Sequence, residues 1–467
     1  MGVAMPTHVP LHVGARDNYE LFGALEEASL IHKSTNFGFF SILSKKAGED
    51  ARQNSFLLTQ MHEVLPLLPM NIDTWMSQCE FIKPNRRIVN LARIPLLFVD
   101  LDCYSITPQN ALSSLIWHCD EVSLPHPSIT NFSGRGLQAK WLLDKPLPRW
   151  ALPRWNQVQS RLVQSFALLG ADMNAKDASR VLRLSHTVNT KSNEKVRVLH
   201  ITKDSEGLPA RYGFEYAAEI LLPNSRDFYD KKKNNHPYSE DEKQRAAEAR
   251  HKREQRPELK LIQGTETSGL HRFSGRQLAW HRLEDIRKLV EIRGGVQSGQ
   301  SMSMLFWALN FLLLSGATNS SQMFYEAAAL AKEFGFGEFN RKDELSTLYA
   351  KAKENEAGKT VTFNGREYPA LYTPKNSSLI DTFGITTEEQ TNLRTIISED
   401  MAKERHAKRS RDSRHASGEN NMTRDAYISV NKEKRVIAIK MNAEGISIRD
   451  IAASLNVSKS TVGRWVS

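Results

Sequence analysis

Residues 230–260 read DKKKNNHPYSEDEKQRAAEARHKREQRPELK, a stretch that is densely charged and nearly free of large apolar side chains. Such a segment cannot contribute to a packed core, because burying its charges without partners costs more than its few apolar atoms return. It reads as a linker with a solvated helix inside, so the chain must build its cores on either side. A second basic run, KERHAKRSRDSRHASGENN (403–421), sets off the C-terminal end in the same way. The sequence therefore predicts a first domain over residues 1–225, a charged linker over 226–262, a mainly helical domain over 263–400, a basic linker over 401–424 and a small unit over 425–467. The length of 467 residues agrees with about three domains of ~150 residues.

Between residues 30 and 220, short runs of branched and aromatic residues alternate with helical patterns. NFGFFSIL (36–43), SQCEFI (77–82), LLFVDLD (96–102), LQAKWLL (137–143) and VRVLHI (196–201) are bounded by Pro, Gly or Asn and predict strands. Residues 108–120 predict a helix. So does RWNQVQSRLVQSFALLG, where Val158, Leu162 and Phe166 recur at i, i+4 and i+8. This mixed order predicts an α+β domain. Beyond residue 269 the pattern is helical, with Trp280, Leu283, Ile286, Leu289 and Val290 on one face. Asn364-Gly365 between alternating runs predicts a hairpin near 359–372, and Thr386 with Glu389 forms a capping-box pattern.

Charged residues make up 25% and hydrophobic residues 40%, which excludes wholesale disorder, a collagen-like repeat or a small disulfide scaffold. Lys and Arg number 63 against 53 Asp and Glu, a net charge of +10 that favours polyanionic partners. Cys79, Cys103 and Cys119 contain no C-x-x-C pair and fit neither a disulfide framework nor a zinc module, so a reducing cytoplasm is the expected location. The N-terminal residues show no charged start followed by an apolar run, so no signal peptide is expected. The longest apolar run, MSMLFWALNFLLL (302–314), contains Asn310 and falls short of the ~18–20 residues of a bilayer span. It predicts a buried helix, and no membrane partner.

The C-terminal segment VNKEKRVIAIKMNAEGISIRDIAASLNVSKSTVGRWVS divides into three helices. The first runs over 432–442 and stops at Gly445. Ser447 caps the second (448–455), with Asp450 three residues later as a capping-box variant. Asn456-Val457 makes the turn, and Ser458 caps a third helix ending near Trp465. A tri-helical unit of this kind sends its third helix into a major groove. That helix would offer Ser458, Lys459, Ser460, Thr461 and Arg464: short hydroxyls for phosphates and a cation able to reach guanine. The segment resembles the helix-turn-helix of resolvases and small transcription regulators.

LLFVDLD places Asp100 and Asp102 two apart on a strand, so both point to the same face. Two carboxylates after a buried run call for a compensating cation. A pair of hard divalent ions would satisfy them and would serve phosphoryl transfer. The next segment, NFSGRGLQAKWLL (131–143), predicts strand, glycine loop, strand. Gly134 and Gly136 allow backbone amides to approach a phosphate, while Arg135 and Lys140 add charge. ADMNAKDASRVLRLSHTVNTK (171–191) then brings a third acid, Asp172, ahead of Arg180, Arg183, Asn189 and Lys191.

Taken in order, these segments resemble the archaeo-eukaryotic primase superfamily, the primase-polymerases of plasmid and mobile-element replication proteins. The h-h-h-D-h-D strand of that family corresponds to Leu97-Phe98-Val99-Asp100-Leu101-Asp102. Its h-D and R…N-x-K segment corresponds to Ala171-Asp172 with Arg183, Asn189 and Lys191. In the strand-loop-strand motif Gln138 stands where the family carries a histidine that contacts the triphosphate. The resemblance covers roughly residues 30–220. It implies an RRM-like catalytic sheet with a mixed N-terminal unit and template-directed nucleotide transfer. Asp100, Asp102 and Asp172 would hold Mg²⁺ or Mn²⁺; Ser133, Arg135, Gln138, Lys140, Arg183, Asn189 and Lys191 would line the nucleotide site. One metal would lower the pKa of the attacking 3′-hydroxyl and the other would hold the triphosphate and leaving pyrophosphate. The implied partners are a single-stranded DNA template, duplex origin DNA and NTPs or dNTPs.

Two other readings remain open on the sequence. Integrases and transposases with an RNase H-like core also use a strand acid, two metals and helix-turn-helix units, but they require a late helical acid that nothing here singles out. A replication initiator or repressor without catalysis is the other, suggested by Gln138 and opposed by the retention of all three acids. EAGKT (356–360) ends like a phosphate-binding loop, yet Lys353 stands where that motif needs glycine. A helicase, if required, must be a separate partner.

Overall fold

The structure, a computed structural model, describes residues 22–33, 37–222, 266–336, 342–363, 366–416 and 424–466, with a few isolated positions. Apart from Gln244 and Glu248, the predicted charged linker core lies outside the described residues, as does the Asn364-Gly365 turn.

In chain order the first part comprises α1 (Ala24–Ile31), β1 (Phe39–Lys45), β2 (Arg52–Leu57), the one-turn α2 (Met61–Val64), β3 (Asp73–Ser77), β4 (Glu80–Phe81), β5 (Leu91–Leu101), α3 (Pro108–Glu121), β6 (Ile129–Phe132), β7 (Leu137–Pro148), α4 (Leu152–Ser165), β8 (Val181–Arg183), β9 (Val188–Asn189), β10 (Glu194–Lys195), β11 (Arg197–Ile201) and α5 (Phe214–Leu221). Nine strands form one sheet in the order β11-β6-β7-β5-β4-β1-β3-β8, with β2 on β1. Every strand pair in it is antiparallel.

Strand β5 is the spine. Its residues from Ile94 to Leu101 are buried except Asp100, the signature of a strand covered on both faces. Pro95 has no N–H for the ladder, and the register with β7 shifts there, between Ile94 and Leu96. Beyond β4 the second edge of β5 has no strand partner. Helix α4 covers it instead: the Gln159 amide accepts from Phe98 N–H (3.2 Å) and donates to Phe98 C=O (2.6 Å), and Trp155 Nε1 donates to Leu96 C=O (3.0 Å).

The following helices are α6 (Glu266–Ile292), α7 (Ser301–Leu314), α8 (Met323–Glu333) and α9 (Ser346–Glu356); after the hairpin β12 (Thr360–Phe363) and β13 (Arg366–Pro369) come α10 (Asn376–Phe383) and α11 (Thr387–Asn392). Trp280, Leu283, Ile286 and Leu289 bury against a core that includes Met304, Leu305, Leu309 and Leu312. Asn310, the one polar residue late in the apolar run, exchanges hydrogen bonds with the backbone of Tyr372 (2.8 and 3.0 Å), which makes its burial affordable. These helices pack directly on the first part. The buried Glu326 carboxylate accepts from the N–H groups of Ile88 and Val89 (3.0 and 3.1 Å), and Arg149 pairs with Glu284 (2.8 Å).

The chain divides into two compact units at Ile396 and Ile397. The second holds α12 (Glu399–Ala416), α13 (Arg424–Ala443), α14 (Ile448–Ser454) and α15 (Lys459–Val466). The basic run read as a linker is therefore helical up to Ala416. It contains no Pro or Gly before that point, and Glu399 and Asp400 in its first turn favour the positive end of the helix dipole. The fold is α+β: an antiparallel sheet with helices, a helical region and a C-terminal helix-turn-helix.

Candidate functional site

Asp100 sits half-buried at the end of β5, and Asp102 lies exposed just beyond it. The third acid reaches them through backbone pairing. Segment 170–172 adds itself to the open edge of β5: Asp102 N–H donates to Gly170 C=O and Asp172 N–H to Asp100 C=O, both at 2.8 Å, with a bridge between Leu101 and Ala171. Gly170 has φ +84°, and a Cβ there would stand 2.5 Å from the Asp102 carbonyl oxygen. From the other side, a Cβ on Gly136 would overlap the Leu101 carbonyl oxygen. Two glycines thus clamp the end of the acidic strand. Packing, rather than phosphate approach alone, requires Gly136.

The charges of Asp102 and Asp172 both reach Asp100. Burial, then the charges of Asp102 and Asp172, push Asp100 up to about 6; Arg180 and a hydrogen bond from Gln138 oppose the rise. Tyr104 Oη donates to Asp102 Oδ1 (2.5 Å), and Asn174 N–H donates to Asp172 Oδ1 (2.9 Å). Among the described residues no three His, Cys, Asp or Glu side chains close on a common point as metal ligands. The donor chemistry, three hard carboxylates with one of them destabilised by burial and like charge, suits Mg²⁺ or Mn²⁺.

The glycine loop lies against these acids. Ser133 N–H donates to Gly136 C=O (2.9 Å), and Ser133 Oγ accepts from Gly136 N–H (3.2 Å). Asn189 Nδ2 donates to Ser133 C=O (2.9 Å), so Asn189 braces the loop from β9. A Cβ on Gly134 would stand 2.6 Å from Asn189 Cβ. Arg135 projects from the loop with its guanidinium 4.3 Å from the Tyr104 ring centroid. Gln138 faces Asp100 across the ladder, is buried, and leaves its carbonyl oxygen without a partner.

The remaining expected residues take different places. Lys140 is fully buried and paired with Glu27 of α1, which also accepts from Asn131 Nδ2 (2.9 Å) and Ser185 N–H (2.9 Å). Burial alone would raise the Glu27 carboxyl, but Lys140 and Ser185 hold it below its ordinary value. Arg183 pairs with Asp73 of β3 and lies 4.7 Å from the Trp75 ring centroid, while Asp73 also takes Thr190. Lys191 is exposed, and its N–H donates to Asn189 Oδ1 (3.2 Å). Sequence reasoning missed Tyr104, two residues past Asp102, and gave Arg180 no role. Arg180 pairs with Asp177 at 3.1 Å, donates to Asn174 C=O and adds its charge to the field of the acids. The spacing from Asp102 was the available signal for Tyr104; nothing local marks Arg180.

In the C-terminal unit Ala438, Ile451, Ala452 and Val462 form the core, with Met441, Ile446, Leu455, Val457 and Trp465 packed around it. Ser447 caps α14: its Oγ accepts from Asp450 N–H (3.3 Å) and donates to Asp450 Oδ2 (2.6 Å). Asn456 takes φ +49° in the turn, and Ser458 Oγ accepts from Thr461 N–H (3.2 Å). Ser458, Lys459, Ser460 and Arg464 are exposed, and Thr461 is half-buried.

Residues 429–467 match the family model of homeodomain-like domains. Over 320 residues the chain is 26% identical to a protein of Clostridium perfringens named "Replication protein". The chain is a homologue of a replication protein. The match covers 68% of this chain and 66% of the relative, so the chain spans a little under two thirds of that protein's length. Among solved structures it is similar to the AEP domain of the Cyanophage S-2L primase-polymerase, with 16% identity and a TM-score of 0.33 over 43% of this chain and 97% of that one. It is also similar to the catalytic domain of primase RepB' in complex with initiator DNA, with 15% identity and a TM-score of 0.29 over 45% of this chain and 99% of that one.

Proposed function

We propose that this chain is a replication initiator that also makes primers: a nucleotidyltransferase, primase or DNA-dependent polymerase, of a plasmid or mobile element. One observation carries the reading. Asp102 and Asp172 lie near enough to Asp100 at the end of β5 for their charges to act on it, beside a glycine loop, in a chain whose other end is a helix-turn-helix and whose relative is a replication protein.

Asp100, Asp102 and Asp172 would hold Mg²⁺ or Mn²⁺, which when bound would acidify a primer 3′-hydroxyl and offset charge on the triphosphate. The chain's own residues do the rest. Gln138 orients Asp100 by donating to it. Asn189 and Ser133 keep the loop closed, so that Arg135 projects toward solvent where phosphates arrive. Lys191 adds a second exposed cation. Lys140 holds α1 to the sheet through Glu27, and Arg183 holds β3 to the strand carrying the basic segment. The substrates are NTPs or dNTPs on a single-stranded DNA template; the helix-turn-helix selects duplex origin DNA, in the cytoplasm, with any helicase a separate protein.

The test is primer synthesis on single-stranded DNA, with each nucleotide set and with Mg²⁺ or Mn²⁺. Metal-dependent products that Asp100→Asn abolishes support the reading. A second reading, an origin binder without catalysis, is favoured by Gln138 with its unpartnered carbonyl in place of the family histidine. Origin binding without any product would establish it.

A further inference from the structure

A cavity of about 330 Å³ lies between the start of α3 and the β6–β7 loop, within the ~300–1,000 Å³ of small-molecule sites. It adjoins the acidic centre, because Cys103 and Tyr104 in its lining directly follow Asp102, and the glycine loop forms another wall. The lining divides by chemistry. Ile106, Pro108 and Phe132 are apolar. Tyr104 and Arg135 supply two planar groups, already stacked on one another at 4.3 Å. Glu194 supplies a carboxylate. Tyr104 is 60% and Ile106 47% exposed, a cost in water that a flat ligand would remove. Arg197 pairs with Glu194 at 3.8 Å, an ion pair too long for a hydrogen bond, so the carboxylate keeps acceptor capacity; the same guanidinium lies 4.7 Å from the Phe132 ring centroid.

We propose that this cavity binds a nucleobase and prefers guanine. The choice of a nucleotide as ligand rests on the nucleotidyl-transfer reading of the adjoining acids; the choice of base rests on the lining. A base presents two flat apolar faces, which aromatic rings and guanidinium planes stack. Its edge must then satisfy Glu194, which accepts and cannot donate when ionised. Guanine offers a ring N–H and an exocyclic amine side by side, matching two carboxylate oxygens. Adenine and cytosine set an acceptor nitrogen next to their amine, and uracil flanks its N–H with carbonyls, so each turns negative charge toward the carboxylate.

The experiment is calorimetric titration of full-length protein with guanosine, adenosine, cytidine and uridine 5′-monophosphates, in EDTA. Guanosine monophosphate binds at least about tenfold tighter than the others, and Glu194→Gln removes that advantage. Tyr104→Ala weakens all four by ~10- to 100-fold, and Tyr104→Phe, which keeps the ring, does not. Equal binding of the four bases with no effect of Glu194→Gln overturns the proposal, as does the absence of binding by the wild-type protein. Because no metal is present, the result is independent of catalysis. Guanine-selective binding without primer synthesis sinks the enzyme reading and keeps the pocket. Primer synthesis without guanine-selective binding sinks the pocket and keeps the enzyme.

Discussion

Asp100 should make the metal-free protein less stable above pH 6, and removing its charge should show by how much. Burial and the neighbouring Asp102 and Asp172 raise its pKa from 3.8 to about 6. Below pH 3.8 the group is protonated in both folded and unfolded chains and has no effect. As pH rises through the interval, the unfolded chain loses the proton first, so the folded state is penalised. The penalty is complete above the folded value, and at 1.36 kcal/mol per pH unit it reaches about 3 kcal/mol at pH 8. At pH 5 it is about half that. Asp100→Asn keeps an acceptor for Gln138 and removes the charge. An unfolding entropy of roughly 2.1 cal/mol/K per residue over the larger unit gives ~0.8 kcal/mol/K, so 3 kcal/mol is worth about 4 °C in Tm. Thermal unfolding without metal should therefore show the variant above the wild type at pH 8, with an advantage about 2 °C larger than at pH 5. The same variant should make no primers, a trade of function for stability. A Tm difference that stays flat between pH 5 and pH 8 would refute the claim that the three acids share one crowded field.

Gly136→Ala should cost ~1–3 kcal/mol in chemical denaturation and abolish nucleotide transfer, since its methyl meets the Leu101 carbonyl. Gly207→Ala, at φ +80° with open space around it, should cost only the ~1–2 kcal/mol of left-handed backbone and leave transfer unchanged. Glu27→Gln strands the buried Lys140 charge and should destabilise by ~3–5 kcal/mol, read in the same denaturation experiment. In duplex-binding assays Thr461→Ala and Arg464→Ala should each weaken the cognate site by ~1–3 kcal/mol with random duplex little changed. Neutralising Arg409 and Arg411 should instead weaken all sequences alike and flatten the salt dependence. Deleting residues from Thr423 onward should remove origin selection while primer synthesis on single strands persists; equal loss of both would show that the unit belongs to the catalytic body.

Local chemistry was legible in the chain. Caps such as Ser447 and Ser458 bond backbone groups three residues away, and the Asn-Gly hairpin pairs Phe363 with Arg366 across two residues. Strand periodicity led to the expectation of one face for Asp100 and Asp102, whereas β5 ends at Leu101 and leaves Asp102 exposed just beyond it. Partners far apart in the chain were not legible. Lys140 and Arg135 look alike on paper, two cations around one glycine loop. The fold puts Lys140 inside against Glu27, a residue 113 positions away, and Arg135 outside on Tyr104. The glycines suggested a phosphate cradle, whereas tertiary packing shows Gly136 and Gly170 admitting two backbone segments against the carbonyls of Leu101 and Asp102. The middle helices carried no motif, yet Glu326 caps the N–H groups of Ile88 and Val89 and so joins them to the turn that leads into β5. Sequence by itself determined which residues could carry the chemistry, because residue type, strand and helix period and capping act over a few positions. Only the tertiary structure decided which of them meet, because a buried charge or an open strand edge is satisfied by whatever group the fold brings there, at any distance along the chain.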